Sequence, residues 1–147
     1  VNRAHSIEID APAATVWTVF SDVTRWPEWT ASVNTVVPLD GPELAVGTRF
    51  AITQPRLPKL VWEVTEVDPG RAWTWRSSSF GTTTVAWHDV APLDGGRTLA
   101  HQRIEQRGPL APLTGLLSSR LTERYLDLEA QGLKARSEQR RADDPAA

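Results

Sequence analysis

Glu66, His88, Ser77 and Gln102 are the residues whose types could do chemistry in an apolar setting, and seven tryptophans supply that setting. A glutamate packed against an indole loses hydration, so its pKa climbs toward neutrality and it becomes a candidate general base. Glu66 meets that description if Trp73 lies opposite it; the alternative is a rim carboxylate, solvated or paired with an arginine. His88 is a second candidate proton carrier. With His101 as its cross-strand neighbour it would offer two imidazoles, but zinc takes three or four ligands and no Asp, Glu or Cys joins them at suitable spacing, so no metal is expected. The chain contains no cysteine, which removes disulfides, thiolate metal sites and cysteine nucleophiles. Ser-His-Asp order, a Gly-rich phosphate loop and a nucleotide fingerprint are also missing, and no cofactor is expected.

The elements that must position these residues follow from periodicity. Residues 3–10 alternate, with Ile7 and Ile9 on one face, and Pro12 suits the first turn of a helix whose apolar face is Val16, Trp17, Val19 and Phe20. Asp22 starts a second short helix through Trp29, where Pro27 is tolerated only in the first turn. From 33 to 107, turn chemistry at Asp40-Gly41-Pro42, Pro55 to Pro58, Asp68-Pro69-Gly70, Phe80-Gly81 and Asp94-Gly95-Gly96 divides the chain into six strands of a meander. After Gly108-Pro109 the period becomes 3.6, with Leu113, Leu117, Leu121, Tyr125 and Leu128 in one stripe of a long helix. Gly132 weakens that helix and permits a bend or a close backbone contact. A curved antiparallel sheet of seven strands cannot bury its concave face alone, and only this helix is long enough to cover it.

Turns then set registers. A two-residue Asp94-Gly95 hairpin places Trp87 opposite Gln102 and Val85 opposite Ile104, while a tight Pro69-Gly70 turn places Trp73 opposite Glu66 and Trp75 opposite Val64. The concave face would carry Phe50, Ile52, Trp62, Val64, Trp73 and Trp75, continued by Ser77, Val85, Trp87, Gln102 and Ile104, and facing Leu117, Leu121 and Tyr125 of the helix. Trp26 and Trp29 would form a lid. Indoles are hard to pack without voids, so the set reads as the wall of a cavity as well as a core.

Composition bounds the rest. A chain of 147 residues is one domain's worth, and at that size about 70% of the unfolded surface is buried. Residues 1–141 read as that domain, and 142–147 as a disordered tail. A net charge of −2 from well-mixed charges marks no nucleic-acid face and no polybasic membrane patch. No apolar run reaches the length of a membrane helix and no signal pattern opens the chain, so membrane insertion is not expected and a cytoplasmic location is.

With these residues in view, the chain resembles the polyketide cyclase/dehydrase and lipid-transport family of the START/Bet v 1-like (SRPBCC) superfamily. The matching stretches are Ile7-Glu8-Ile9-Asp10-Ala11-Pro12 with Val16-Trp17, Asp22 through Trp29, Gly47-Thr48-Arg49-Phe50, Val64 through Gly70, and Gly108 through Leu113. The resemblance spans Ser6 to about Lys134 and implies an α+β helix-grip fold: a seven-stranded sheet wrapped around the C-terminal helix, with two short helices after the first strand and a hydrophobic cavity inside. Members with aromatase/cyclase activity carry Trp-x-Ser-x-Arg, where the arginine polarises a substrate oxygen. Here Trp62-Glu63-Val64-Thr65-Glu66 keeps the tryptophan, but Val64 replaces the serine and Glu66 the arginine.

Three functions follow as expectations, since one fold hosts many activities. The first is binding of a hydrophobic or aromatic small molecule, lipid or polyketide-like, in the cavity, with Gln102, Ser77 and Glu66 orienting its polar end. The second is a cyclase or dehydratase that uses Glu66 or His88 to move protons. The third is a protein-binding module like the chaperone-activator relatives.

Overall fold

The computed structural model describes residues 2–144. Strand β1 (Asn2–Ile9) leads into helix α1 (Ala13–Ser21) and a 3-10 helix (Val23–Glu28). Six strands follow: β2 (Thr35–Pro38), β3 (Arg49–Thr53), β4 (Leu60–Asp68), β5 (Ala72–Ser79), β6 (Thr82–Pro92) and β7 (Thr98–Arg107), and then helix α2 (Ala111–Asp143). All neighbours are antiparallel in the order β1-β7-β6-β5-β4-β3-β2. This is the helix-grip arrangement that the resemblance implies, with the six strands joined as the meander that the turn residues predict. Because β1 and β2 occupy opposite edges, α1 and the 3-10 helix must carry the chain across the sheet, and they bring Phe20 and Trp26 into the core.

Two registers differ from the sequence expectation, each by one residue. Between β6 and β7 the turn is a three-residue one, Asp94–Gly96, closed by Leu93 N–H donating to the Arg97 carbonyl at 2.8 Å, with both glycines at positive φ. The longer turn slides β6 against β7, so Trp87 faces Arg103, His88 faces Gln102 and Val85 faces Glu105. Side chains alternate across a strand, so the slip turns β6 over: Ala86, His88 and Val90 are buried, while Val85 and Trp87 are half-buried on the other face. The Trp87 ring instead meets the Arg103 guanidinium, 3.8 Å from its centroid. His88 is therefore not beside His101, which pairs across from Asp89 and shares a 2.6 Å hydrogen bond with Ser6.

The second difference is a β-bulge between Val64 and Glu66. Val64 faces Trp75 as expected, but beyond the bulge Trp73 faces Val67 and Glu66 faces Thr74. Without the extra residue the alternation would carry Glu66 inward, where an unpaired carboxylate is costly. With it, Val67 takes the inner side and Glu66 is exposed.

Helix α2 departs from its most apolar stripe. Ala111, Gly115, Tyr125, Leu126, Glu129 and Leu133 are buried, whereas Leu113, Leu116 and Leu117 are exposed and Leu121 is half-buried. Small and hydroxylated residues, Thr114, Ser118 and Thr122, occupy the sheet side of its first turns, where leucines would fill the space below. The helix also continues through Asp143, so Ala142 and Asp143 are ordered helix where a tail was expected; residues 145–147 of that expected tail lie outside the described residues. Asp22 precedes the second short helix, but that helix is of the 3-10 type and holds Pro27 well past its first turn. Among the described residues no helix is long and apolar enough to cross a membrane.

Gly132 settles how close α2 comes to the end of the 3-10 helix segment at Trp29. A Cβ there would lie 1.9 Å from the Trp29 carbonyl oxygen, a backbone atom that cannot swing away. Gly132→Ala is expected to destabilise the protein by about 2 kcal/mol, the overpacking penalty outweighing alanine's better helix propensity. The corresponding fall in Tm is about 4–8 °C. An unchanged or raised Tm in a thermal melt would show that the close approach is not real.

Candidate functional site

A pocket of about 250 Å³ lies between the sheet and α2. Its inner end is formed by Trp26, Val33, His88, Gln102 and Glu129, and its walls by Trp62, Trp75, Ser77, Ala86, Ile104 and Leu126. Only Pro58 and Phe80 among its lining residues are fully exposed, so it opens between the β3–β4 loop and the β5–β6 turn, past Leu57, Thr114 and Ser118.

The polar centre is Glu129, which sits on α2 at the helical spacing Tyr125, Glu129, Leu133 and is only 8% exposed. Ser32 Oγ donates to its Oε1 at 3.0 Å and Gln102 Nε2 donates to its Oε2 at 2.9 Å. Ser32 is itself held by Thr30 Oγ1 at 2.9 Å, so the segment after the 3-10 helix, β7 and α2 share one network. Burial pushes the Glu129 carboxyl up to about 7, against the opposing pull of the two hydrogen bonds from Gln102 and Ser32. A carboxyl with that pKa is present in both protonation states near neutrality, able to accept from one group and donate to another.

His88 faces Gln102 from β6 and is buried among aromatic rings at the pocket's inner end. It stacks on Trp73 at 4.1 Å with 7° between planes, and the rings of Phe20, Trp26 and Trp75 meet it edge-on or nearly so. Burial pulls its pKa down to about 3, only slightly opposed by the hydrogen bond to the Trp73 carbonyl, so the imidazole is neutral at pH 7. The carbonyl can only accept, so at 3.4 Å the ring's Nδ1 carries the proton and Nε2 is left as an acceptor. One further polar atom, the Ser77 hydroxyl, is buried on the wall without a hydrogen-bond partner.

Of the residues singled out from sequence, Trp26, Trp62, Trp75, Ser77, His88, Gln102, Ile104 and Tyr125 line the pocket. Trp87 also borders it, from the outward-turned position on β6. Phe50, Ile52, Val64 and Trp73 are buried core beside it, and Trp29 packs on Trp26 at 5.4 Å without lining it. Trp26 is buried at the inner end, away from the opening, so the two tryptophans expected as a lid close the far end instead. Val85, Leu117 and Leu121 stand outside it, and Glu66 is on the exposed side of β4. Sequence reasoning missed Glu129. Its signal was available: it lies four residues from Tyr125 and from Leu133, within the buried stripe.

The two perturbed groups act on stability with opposite signs. For Glu129 the folded pKa of about 7 lies above the ordinary 4.5, so its contribution is complete below pH 4.5 and is lost as pH rises to 7. For His88 the folded pKa of about 3 lies below 6.5, so stability is lost as pH falls from 6.5 toward 3. The advantage of Glu129→Gln over the wild type should therefore grow by about 3 kcal/mol between pH 4.5 and 7. Urea unfolding of both proteins across that range checks it; a pH-independent difference would mean Glu129 is not buried as described.

A model of the family described as polyketide cyclase/dehydrase and lipid transport matches residues 2–138. Among solved structures, the fold is shared with the Zhui aromatase/cyclase from Streptomyces sp. R1128, at TM-score 0.78 and 17% identity over 95% of this chain and 94% of that one. A START superfamily protein from Mycobacterium smegmatis is similar at TM-score 0.73 and 17% identity, covering 94% and 97%. The hypothetical protein jhp0584 from Helicobacter pylori matches at TM-score 0.80 and 17% identity, covering 93% and 88%. A search of curated proteins finds no match.

Proposed function

The chain belongs to the polyketide cyclase/dehydrase and lipid transport family, and from that premise we propose that it binds a hydrophobic or aromatic small molecule, lipid or polyketide-like, in the pocket between sheet and α2. The observation that carries this reading is a buried carboxyl at the inner end of an otherwise aromatic pocket, with a partnerless serine hydroxyl on its wall. An apolar body that hides about 200 Å² in such a pocket gains about 5 kcal/mol from burial before the costs of association. Polar groups then set orientation. Protonated Glu129 can donate to a ligand carbonyl, ionised Glu129 can accept from a ligand hydroxyl, and Ser77 can meet a second oxygen along the wall.

A second reading is favoured by the same carboxyl. A base of pKa about 7 in a largely aromatic pocket suits removal of a proton from a carbon flanked by carbonyls, the first step of cyclase or dehydratase chemistry. The protonated acid could then supply that proton to a hydroxyl departing as water. The fold likeness to the Zhui aromatase/cyclase accords with it. Glu129 replaces Glu66 as the proton carrier in this reading, because Glu66 is exposed.

The test is titration of tryptophan fluorescence with a panel of fatty acids and polyphenols, since Trp26, Trp62 and Trp75 line the pocket. Saturable quenching is expected, and Glu129→Gln should weaken ligands that carry a hydroxyl or carbonyl about tenfold while leaving pure hydrocarbons unaffected. Under the second reading the same variant also loses turnover of a poly-β-ketone substrate. Absence of saturable quenching across the panel, or equal affinity of wild type and variant for every polar ligand, would count against the assignment.

A further inference from the structure

Among the described residues, the two non-glycines held at positive φ both sit on the rim of the pocket: Arg56, at 64°, in the β3–β4 loop, and Phe80, at 53°, in the β5–β6 turn. Long and bulky side chains rarely adopt this backbone conformation, and where they do the reason is often function. Here the conformation holds an aromatic ring 74% exposed at the mouth. Phe80 does not stand alone. Leu110 N–H donates to the neighbouring Gly81 carbonyl at 3.3 Å, and from Leu110 the apolar surface continues onto the outer face of α2 through Leu113, Leu116 and Leu117, the last two 74% and 79% exposed. At the same helical spacing the stripe passes into Arg120 and Arg124.

Most cations elsewhere in the described residues are paired, with Arg140 on the last turn of α2 an exposed exception. Arg49, Arg76, Arg97 and Arg136 each meet a carboxylate. Arg56, Lys59, Arg120 and Arg124 are exposed and have no carboxylate partner among the described residues. Of the nearby acids, Glu123 meets Arg3 and Glu105 meets Arg107, while Asp127 lies 3.9 Å from His5 Nε2, an ion pair only when that imidazole is protonated. The Tyr125 hydroxyl donates to the Pro55 carbonyl and ties the loop to the helix, so Arg56 and Arg124, the sequence neighbours of these two residues, belong to one surface.

We infer that this mouth docks on a bilayer carrying anionic lipids, with Phe80, Leu116 and Leu117 entering the interface and the four unpaired cations meeting lipid phosphates. Single apolar side chains projecting from a turn and a rounded helix face suit a fluid interface, and the four cations match its charge. A partner protein would need a complementary packed surface. The contact is peripheral. It goes beyond the ligand reading and does not depend on it, although it would give a hydrophobic molecule a dry route into the pocket.

Co-sedimentation with phosphatidylcholine vesicles, with and without phosphatidylglycerol, tests the surface directly. Binding is expected only to the anionic vesicles and should fall steeply with salt. Leu116→Ser and Arg124→Glu should each lower the partition coefficient about fivefold or more. Both should keep fluorescence quenching by any ligand of the wild-type protein, which separates this proposal from the previous one. Arg71→Glu, at the far hairpin tip of β5, should bind vesicles like the wild type. No sedimentation with anionic vesicles at low salt, equal loss in Arg71→Glu, or binding to soluble polyglutamate without binding to vesicles would each overturn it.

Discussion

A single buried carboxyl organises this molecule. Glu129 is held by Ser32 from the segment after the 3-10 helix and by Gln102 from β7, so one group on α2 connects both walls that enclose the pocket. A carboxylate in such a place costs several kcal/mol of hydration unless donors surround it, and leaving either donor unpaired would cost more. The register of β7, the path of the segment after the 3-10 helix and the rotation of α2 must all satisfy that constraint. The neutral His88 opposite Gln102 adds no compensating charge. The inner end therefore carries one group, Glu129, that titrates near neutrality.

Much of this was legible in the chain, and the failures have identifiable causes. Element order, the meander and the close approach at Gly132 follow from turn residues and from a glycine placed where a helix would not choose one. The inner positions of β7, Ala100 and Gln102, follow from alternation. The parity of β6 was not readable, because Asp94-Gly95-Gly96 supports a two-residue or a three-residue turn equally well and one residue decides which face His88 occupies. A bulge at Thr65 likewise leaves no mark in composition, yet it sends Glu66 outward. On α2 the largest apolar stripe was mistaken for the buried one. A helix that roofs a pocket puts small residues over the space and leaves leucines outside, which inverts the usual reading of amphipathicity.

The surface at the mouth was invisible for a different reason. Its members come from the β3–β4 loop, the β5–β6 turn and three turns of α2, and none forms a charged or apolar run in sequence. Only the fold gathers them. That gathering links the two proposals physically: the opening through which a hydrophobic ligand would pass is also where exposed apolar side chains and unpaired cations collect.

The carbon-13 signal of the Glu129 side-chain carboxyl, followed through a pH titration of the labelled protein, examines the buried centre most directly. The structure calls for a midpoint near 7 in the free protein and a displaced midpoint when a polar ligand saturates the pocket. A midpoint at the ordinary carboxylate value of 4.5, unmoved by ligand, would contradict it.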